Sequence, residues 1–162
     1  MDSEIVKVDQ KIIVGMKLEI SLLENQTQTL WQRFMPKLNS ISNRLDNNLI
    51  SMSIYSSDYF HSFNPSNRFM KWAGVEVSEE PIIGDGLEII KIPKGLYVRF
   101  LYQGLPSQAG PFYQSIFQEW FPKSGYKSGY KLDQRPHFEV MGDKYKNNEP
   151  SSEEMIYIPV ME

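Results

Sequence analysis

The side chains available for chemistry are carboxylates, phenols and two histidines. Among 162 residues there are 17 Lys and Arg, 20 Asp and Glu, 2 His and no Cys. The lack of Cys excludes disulfides, thiolate zinc sites, iron–sulfur clusters and a cysteine nucleophile. His61 and His137 lie far apart, with no carboxylate at metal-ligand spacing, so both read as structural or exposed and no metal is expected. Gly84-Asp85-Gly86 lacks the longer glycine pattern and the Lys-Ser/Thr of a phosphate loop, and reads as a turn. Glu139 lies in His137-Phe138-Glu139-Val140-Met141. Strand alternation puts His137, Glu139 and Met141 on one face, Phe138 and Val140 on the other. By itself that pattern suits a solvated glutamate on an exposed strand face. The plentiful groups are aromatic: 9 Phe, 9 Tyr and 3 Trp make up 13% of the chain. Such an excess serves a large core or a pocket that grips flat, apolar molecules.

The elements that must position these groups alternate between two periods. Lys11–Leu22 reads as a strand rich in Val, Ile and Leu. Leu30, Trp31, Phe34, Met35, Leu38 and Ile41 form a helical stripe, which Pro36 should kink or end near Met35. Leu49–Tyr55 and Phe69–Val77 read as strands, separated by a polar stretch, Ser56–Arg68. Leu87–Ile92 is a further strand, Pro93-Lys94-Gly95 a tight turn, and Leu96–Gln103 a strand. Ser107 is a suitable N-cap for a helix whose stripe is Phe112, Ile116, Phe117, Trp120 and Phe121, stopped by Pro122. A polar loop, Lys123–Gln134, leads to strands at His137–Met141 and Glu154–Val160. Asn147-Asn148-Glu149-Pro150 and Ser151–Glu154 read as a solvated acidic rim. Arg99 and Arg135 are free to pair with nearby carboxylates.

This order contains a repeat. Trp31-Gln32-Arg33-Phe34-Met35-Pro36 and Phe117-Gln118-Glu119-Trp120-Phe121-Pro122 share the pattern aromatic, Gln, charged, aromatic, apolar, Pro, at an offset of about 86 residues. The expectation is one α+β domain over 1–162. It comprises tandem strand–helix–strand–strand repeats at about 10–78 and 95–162, with a linking strand at about 87–92. The antiparallel sheets are related by a pseudo-twofold axis. Clefts between such halves are favoured ligand sites. Trp31 and Trp120, on the two helix stripes, suit core packing or cleft walls. Trp72 and Tyr157, on the closing strands, suit stacking on a ligand or on a helix.

The formal net charge of −3 lacks the basic footprint of nucleic-acid binding, so no direct nucleic-acid contact is expected. Met1-Asp2-Ser3-Glu4 is unlike a signal peptide. No apolar run approaches the roughly 20 residues of a membrane span. The chain therefore reads as cytoplasmic, without a membrane partner.

Several motifs resemble one family. They are Ile92-Pro93-Lys94-Gly95-Leu96-Tyr97, Gly104-Leu105-Pro106, Trp120-Phe121-Pro122 with Gly125-Tyr126, Arg135-Pro136-His137-Phe138-Glu139-Val140-Met141-Gly142, and Ile156-Tyr157-Ile158-Pro159-Val160. Their order and spacing resemble the GyrI-like effector-binding family, the domain attached to AraC-type and MerR-type multidrug-responsive regulators. The resemblance implies tandem strand–helix–strand–strand units around a cleft for bulky, often cationic aromatic molecules, with no cofactor. It places the family's buried glutamate at Glu139 and cleft-lining aromatics at Tyr97 and Tyr102. Those two tyrosines differ in strand parity, so a regular strand cannot turn both into one cleft. The chain departs from regulator members in carrying no helix-turn-helix.

A carboxylate in an aromatic cleft is costly unless paired or protonated. A bound cation would pair it, and aromatic faces would add roughly 0.5–2 kcal/mol each. The leading expectation is a small-molecule binder that senses or sequesters amphipathic aromatic compounds, cationic ones included, through Glu139, Tyr97, Tyr102, Trp31, Trp72, Trp120 and Tyr157. Two alternatives stand beside it. One is a hydrolase that opens cyclopropanoid rings, with Glu139 activating water or protonating a leaving oxygen. The other is a gyrase-inhibitor-like module for protein interaction.

Overall fold

The computed structural model describes residues 2–61, 63–125 and 128–162. Tyr126, part of the motif at Gly125, lies outside the described residues, as do Met1, Ser62 and Lys127. Among the described residues nine strands carry the fold: β1 (Ser3–Val8), β2 (Lys11–Ser21), β3 (Leu49–Ile54), β4 (Arg68–Val77), β5 (Glu88–Ile92), β6 (Gly95–Gln103), β7 (Lys131–Leu132), β8 (His137–Met141) and β9 (Glu153–Met161). Two helices join them, α1 (Thr27–Phe34) and α2 (Gly110–Ser115).

The strands run in the order β1-β6-β9-β8-β3-β4-β2-β5, every pair antiparallel, with β7 added to β9. Read from either end, this order is strand-equivalent, and the pseudo-twofold axis falls between β3 and β8. The leading strands are exchanged. β1 pairs with β6 of the second half, and β5 pairs with β2 of the first. Each half is thus strand–strand–helix–strand–strand. β1 lies outside the repeat as read from sequence, and the stretch read as a link is its counterpart.

The connections bend the sheet. β1 lies at one edge and β2 beside the other, yet only Asp9 and Gln10 join them. Two residues span at most about 10 Å between flanking strands. Pro93 and Lys94 likewise carry β5 into β6, so that segment is a crossover rather than a hairpin turn. Both links can be short only if the sheet rolls until its margins approach. At Gly15 and Gly74, which face each other across β2 and β4, the backbones pack so closely that a Cβ on Gly15 would lie 2.2 Å from the Ala73 carbonyl oxygen.

The roll has two faces. Its inner face holds Val8, Ile13, Ile50, Met52, Trp72, Ile92, Tyr97 and Phe138, all buried without a helix over them. The helices cover the outer face. Leu30 and Phe34 of α1 pack on Val14, Ala73 and Val75. Ile116 and Phe121 pack on Val98, Phe100, Ile156 and Ile158. α1 ends at Phe34, and Pro36 opens a 3-10 turn, Met35–Ser40, as proline's missing donor predicts. Ser107 is not an N-cap: Pro106 starts a 3-10 turn there, and α2 begins at Gly110 with no side-chain cap. Pro122 does not stop the second helix. It lies inside wide π-type turns that run over Ile116–Gly125.

Candidate functional site

The site grows from the central strand pair. On the outer face Ser51 lies opposite Glu139 and Ser53 opposite His137, as alternation from either strand requires. β4 adds Lys71 beside Ser53, and its Nζ donates to Ser53 Oγ at 3.2 Å. β9 adds Glu154. Sequence reading placed Ser151–Glu154 in a solvated rim, whereas Ser152 and Glu154 are buried. Ser152 is buried and accepts a hydrogen bond from the Lys146 amide at 2.7 Å. β9 starts at Glu153, and alternation then turns Glu154 inward, where it is 5% exposed.

The two carboxyl groups meet. Glu154 stands diagonally beside Glu139 on the β8–β9 ladder, and the Tyr113 hydroxyl donates to Glu139 Oε1. Burial, then the neighbouring Glu139, raises Glu154 to about 8, so Glu154 is protonated at neutral pH. Burial and the charge of Glu139 keep the Tyr113 phenol neutral, well above its ordinary range. Burial, then Glu154 and Glu139, pushes Tyr145 up to about 12. Burial also raises Tyr55, against a hydrogen bond with Ser53. His137 is lowered to about 3 by burial and by Lys71, and is therefore neutral.

Aromatic rings line the same space. Phe60, from the turn after β3, stacks on Phe117 at 4.9 Å and on His137 at 5.7 Å. Tyr55 meets His137 edge-on at 4.9 Å. Tyr113 and Phe117 stand one helical turn apart and share the cleft-facing side. Phe112, Ile116 and Trp120 face the sheet. Rings from both halves thus surround the two carboxyl groups of the second. Among the described residues no group of three His, Asp or Glu suits a metal ion.

Glu139 lies at the centre of this cluster. Tyr102 shares its face and borders Glu154, but its hydroxyl donates to the Leu105 carbonyl at 2.7 Å and its ring packs on Phe112. Tyr97, Trp72 and Tyr157 are on the inner face of the roll, away from Glu139. Tyr97 donates to the Pro136 carbonyl beneath the Arg135 guanidinium, and Tyr157 stacks on Phe138 at 4.5 Å. β6 keeps regular pairing, so Tyr97 and Tyr102 face opposite ways. Trp31 packs edge-on against Phe34. Trp120 packs against Phe100, and its Nε1 donates to Ser3 Oγ. Arg99 pairs with Glu4 and Arg135 with Asp133. Sequence reading passed over Tyr113, Tyr145, Phe60, Lys71 and Glu154. The Tyr113/Phe117 spacing and the Tyr59-Phe60 pair within a polar stretch were the available signals.

Comparison with known proteins matches the GyrI-like small-molecule-binding domain over residues 1–161. The chain belongs to this family. A GyrI-like relative, the transcriptional regulator BrlR of Pseudomonas aeruginosa, is 25% identical over 161 residues. That alignment covers 99% of this chain and 56% of BrlR, so the chain spans about half of that relative's length. In fold, this GyrI-like domain is similar to SAV2435 bound to tetraphenylphosphonium, with TM-score 0.74 and 15% identity over 99% of this chain and 94% of that one. It is also similar to EcmrR in its DNA complex, with TM-score 0.73 and 11% identity over 99% of this chain and 57% of that one. Among the described residues no helix is long and apolar enough to cross a membrane.

Proposed function

We propose that this GyrI-like domain binds bulky aromatic cations in the cleft between its halves, in a sensing or sequestering role. The observation that carries the reading is a half-buried carboxylate, Glu139, that accepts from the neutral Tyr113 hydroxyl and neighbours protonated Glu154, beside the stacked rings of Phe60, Phe117 and His137. An organic cation supplies the missing charge, and the rings supply its flat contacts. The tetraphenylphosphonium bound to SAV2435 is a molecule of this class and makes a suitable probe. Titration with tetraphenylphosphonium and with neutral triphenylphosphine oxide tests the reading. Glu139→Gln should weaken the cation by about 30-fold or more, from loss of a buried charge contact, and leave the neutral compound within about twofold. Equal affinity of the two compounds in wild type and variant would overturn it.

One observation favours a second reading. A carboxyl held protonated at neutral pH beside a second carboxyl, with a phenol in contact, is the equipment of general acid–base hydrolysis. Ring-opened product from a cyclopropanoid substrate, lost in Glu139→Gln, would establish it; stoichiometric binding without product would dismiss it.

A further inference from the structure

We propose that Glu154 is a second charge-selecting residue of the cleft: Glu139 and Glu154 share one proton when the cleft is empty, and an incoming organic cation takes the place of that proton. The inference rests on the cation-binding reading above. Its geometry comes from the strand ladder. Ile156 of β9 lies opposite Glu139 of β8, so Glu154, two residues away on the same face and 5% exposed, stands diagonally beside Glu139. Two carboxylates side by side out of water are costly to ionise together, and a shared proton relieves that cost. Tyr113 donates to Glu139 Oε1, and burial together with the neighbouring Glu139 raises Glu154, so the proton is placed on Glu154.

The groups facing the pair make the exchange economical. Tyr113 comes from α2, Tyr145 from the segment before β9, Tyr55 from β3, Tyr102 from β6 and His137 from β8, all uncharged at neutral pH. Lys71 of β4 contributes one positive charge, felt by both Glu154 and His137. With one proton held, the two carboxyls and Lys71 sum to zero. A bound monocation would leave the cleft positive unless the proton departed. Removing it at pH 7 costs about tenfold, since Glu154 titrates near 8. A cation touching both carboxylates at low local dielectric offers more than that. In the exchange the Glu154 O–H bond breaks, the proton passes to solvent, and the ligand's charge pairs with the two anions. A neutral ligand leaves the proton in place.

Calorimetric titration with tetraphenylphosphonium in phosphate and in Tris, at pH 6.5 and 9.5, tests the exchange. About one proton should be released per cation at pH 6.5 and almost none at pH 9.5, and affinity should rise about 30-fold between them. In Glu154→Gln the release and the pH dependence should both vanish, while triphenylphosphine oxide should show neither in wild type. Heats that are the same in both buffers, with the cation bound, overturn the exchange and leave the cation reading intact. Binding of the phosphine oxide but never of the cation overturns the cation reading. A second measurement needs no ligand. The infrared spectrum of the free protein at pH 7 should contain a protonated-carboxyl carbonyl band that Glu154→Gln removes, and its absence in wild type overturns the shared proton directly.

Discussion

The two halves use equivalent strands for different ends. On the outer face β3 and β4 present Ser51, Ser53 and Lys71, while β8 and β9 present His137, Glu139 and Glu154. α1 buries Leu30 and Phe34 in a purely apolar contact. The second helix divides its labour, with Ile116 and Phe121 in the core and Tyr113 and Phe117 over the cleft. Buried carboxylates and a neutral histidine cost stability. In this molecule they are concentrated in the second half, beside a first half that carries a hydroxyl-lined floor and a well-packed helix. A duplicated fold lets one copy act as scaffold while the other takes on the unfavourable groups.

The sharpest way to break this comparison is to cut one ring from each helix. Phe34 is fully buried, so Phe34→Ala should cost about 3–5 kcal/mol of stability by denaturant unfolding. It should leave cation affinity of the folded protein unchanged. Phe117 is half-buried and stacked on Phe60 and Phe121. Phe117→Ala should cost only about 1–2 kcal/mol and should weaken tetraphenylphosphonium several-fold. Equal losses of stability and of binding in both variants would erase the division of labour.

The pH dependence of stability sharpens the same contrast, because its causes lie in the second half. His137 is lowered from 6.5 to about 3, so the unfolded chain binds the extra proton and stability falls as pH drops below about 6.5. Glu154 is raised from 4.5 to about 8, so the folded chain binds the extra proton and stability falls as pH rises from about 4.5 through 8. Between about 4.5 and 6.5 the two slopes oppose each other, leaving a plateau. Outside that plateau each limb should amount to about 1–2 kcal/mol. Urea midpoints from pH 3.5 to 9 should show both limbs. His137→Phe should remove the acid limb, and Glu154→Gln the alkaline one.

What could be read from sequence followed from local period. Alternation set His137 and Glu139 on one face, and the helical stripes named Phe34, Ile116 and Phe121, all of which the fold places accordingly. What escaped depends on distant pairing. β1 forms a ladder with β6 of the other half, so nothing near Ser3–Val8 announces a partner. Tyr97, Trp72 and Tyr157 point into the roll because Asp9-Gln10 and Pro93-Lys94 close it, and alternation cannot say which strand face becomes the inside. Glu154 escaped because its inward turn depends on where β9 starts, which the buried Ser152 turn decides.

The mildest test concerns the two prolines that the repeat aligned. Pro36 opens a 3-10 turn after α1 has ended, whereas Pro122 sits within the turns that carry Phe117. Both are exposed, so neither substitution removes core packing. Alanine at 36 restores a donor outside the helix and should change little. Alanine at 122 restores a donor within the wide turns and permits regular α-helix, which rotates residues on either side relative to the sheet. Because Ile116 and Phe121 are held by the core, Phe117 and Tyr113 must absorb that rotation, and their contacts with Phe60 and Glu139 loosen. Pro122→Ala should therefore raise helical circular dichroism, shift stability by no more than about 1 kcal/mol, and weaken tetraphenylphosphonium several-fold. Pro36→Ala should do none of these. If both variants bind alike, the wide turn is packing geometry alone, and the second helix owes its role to its side chains rather than to its shape.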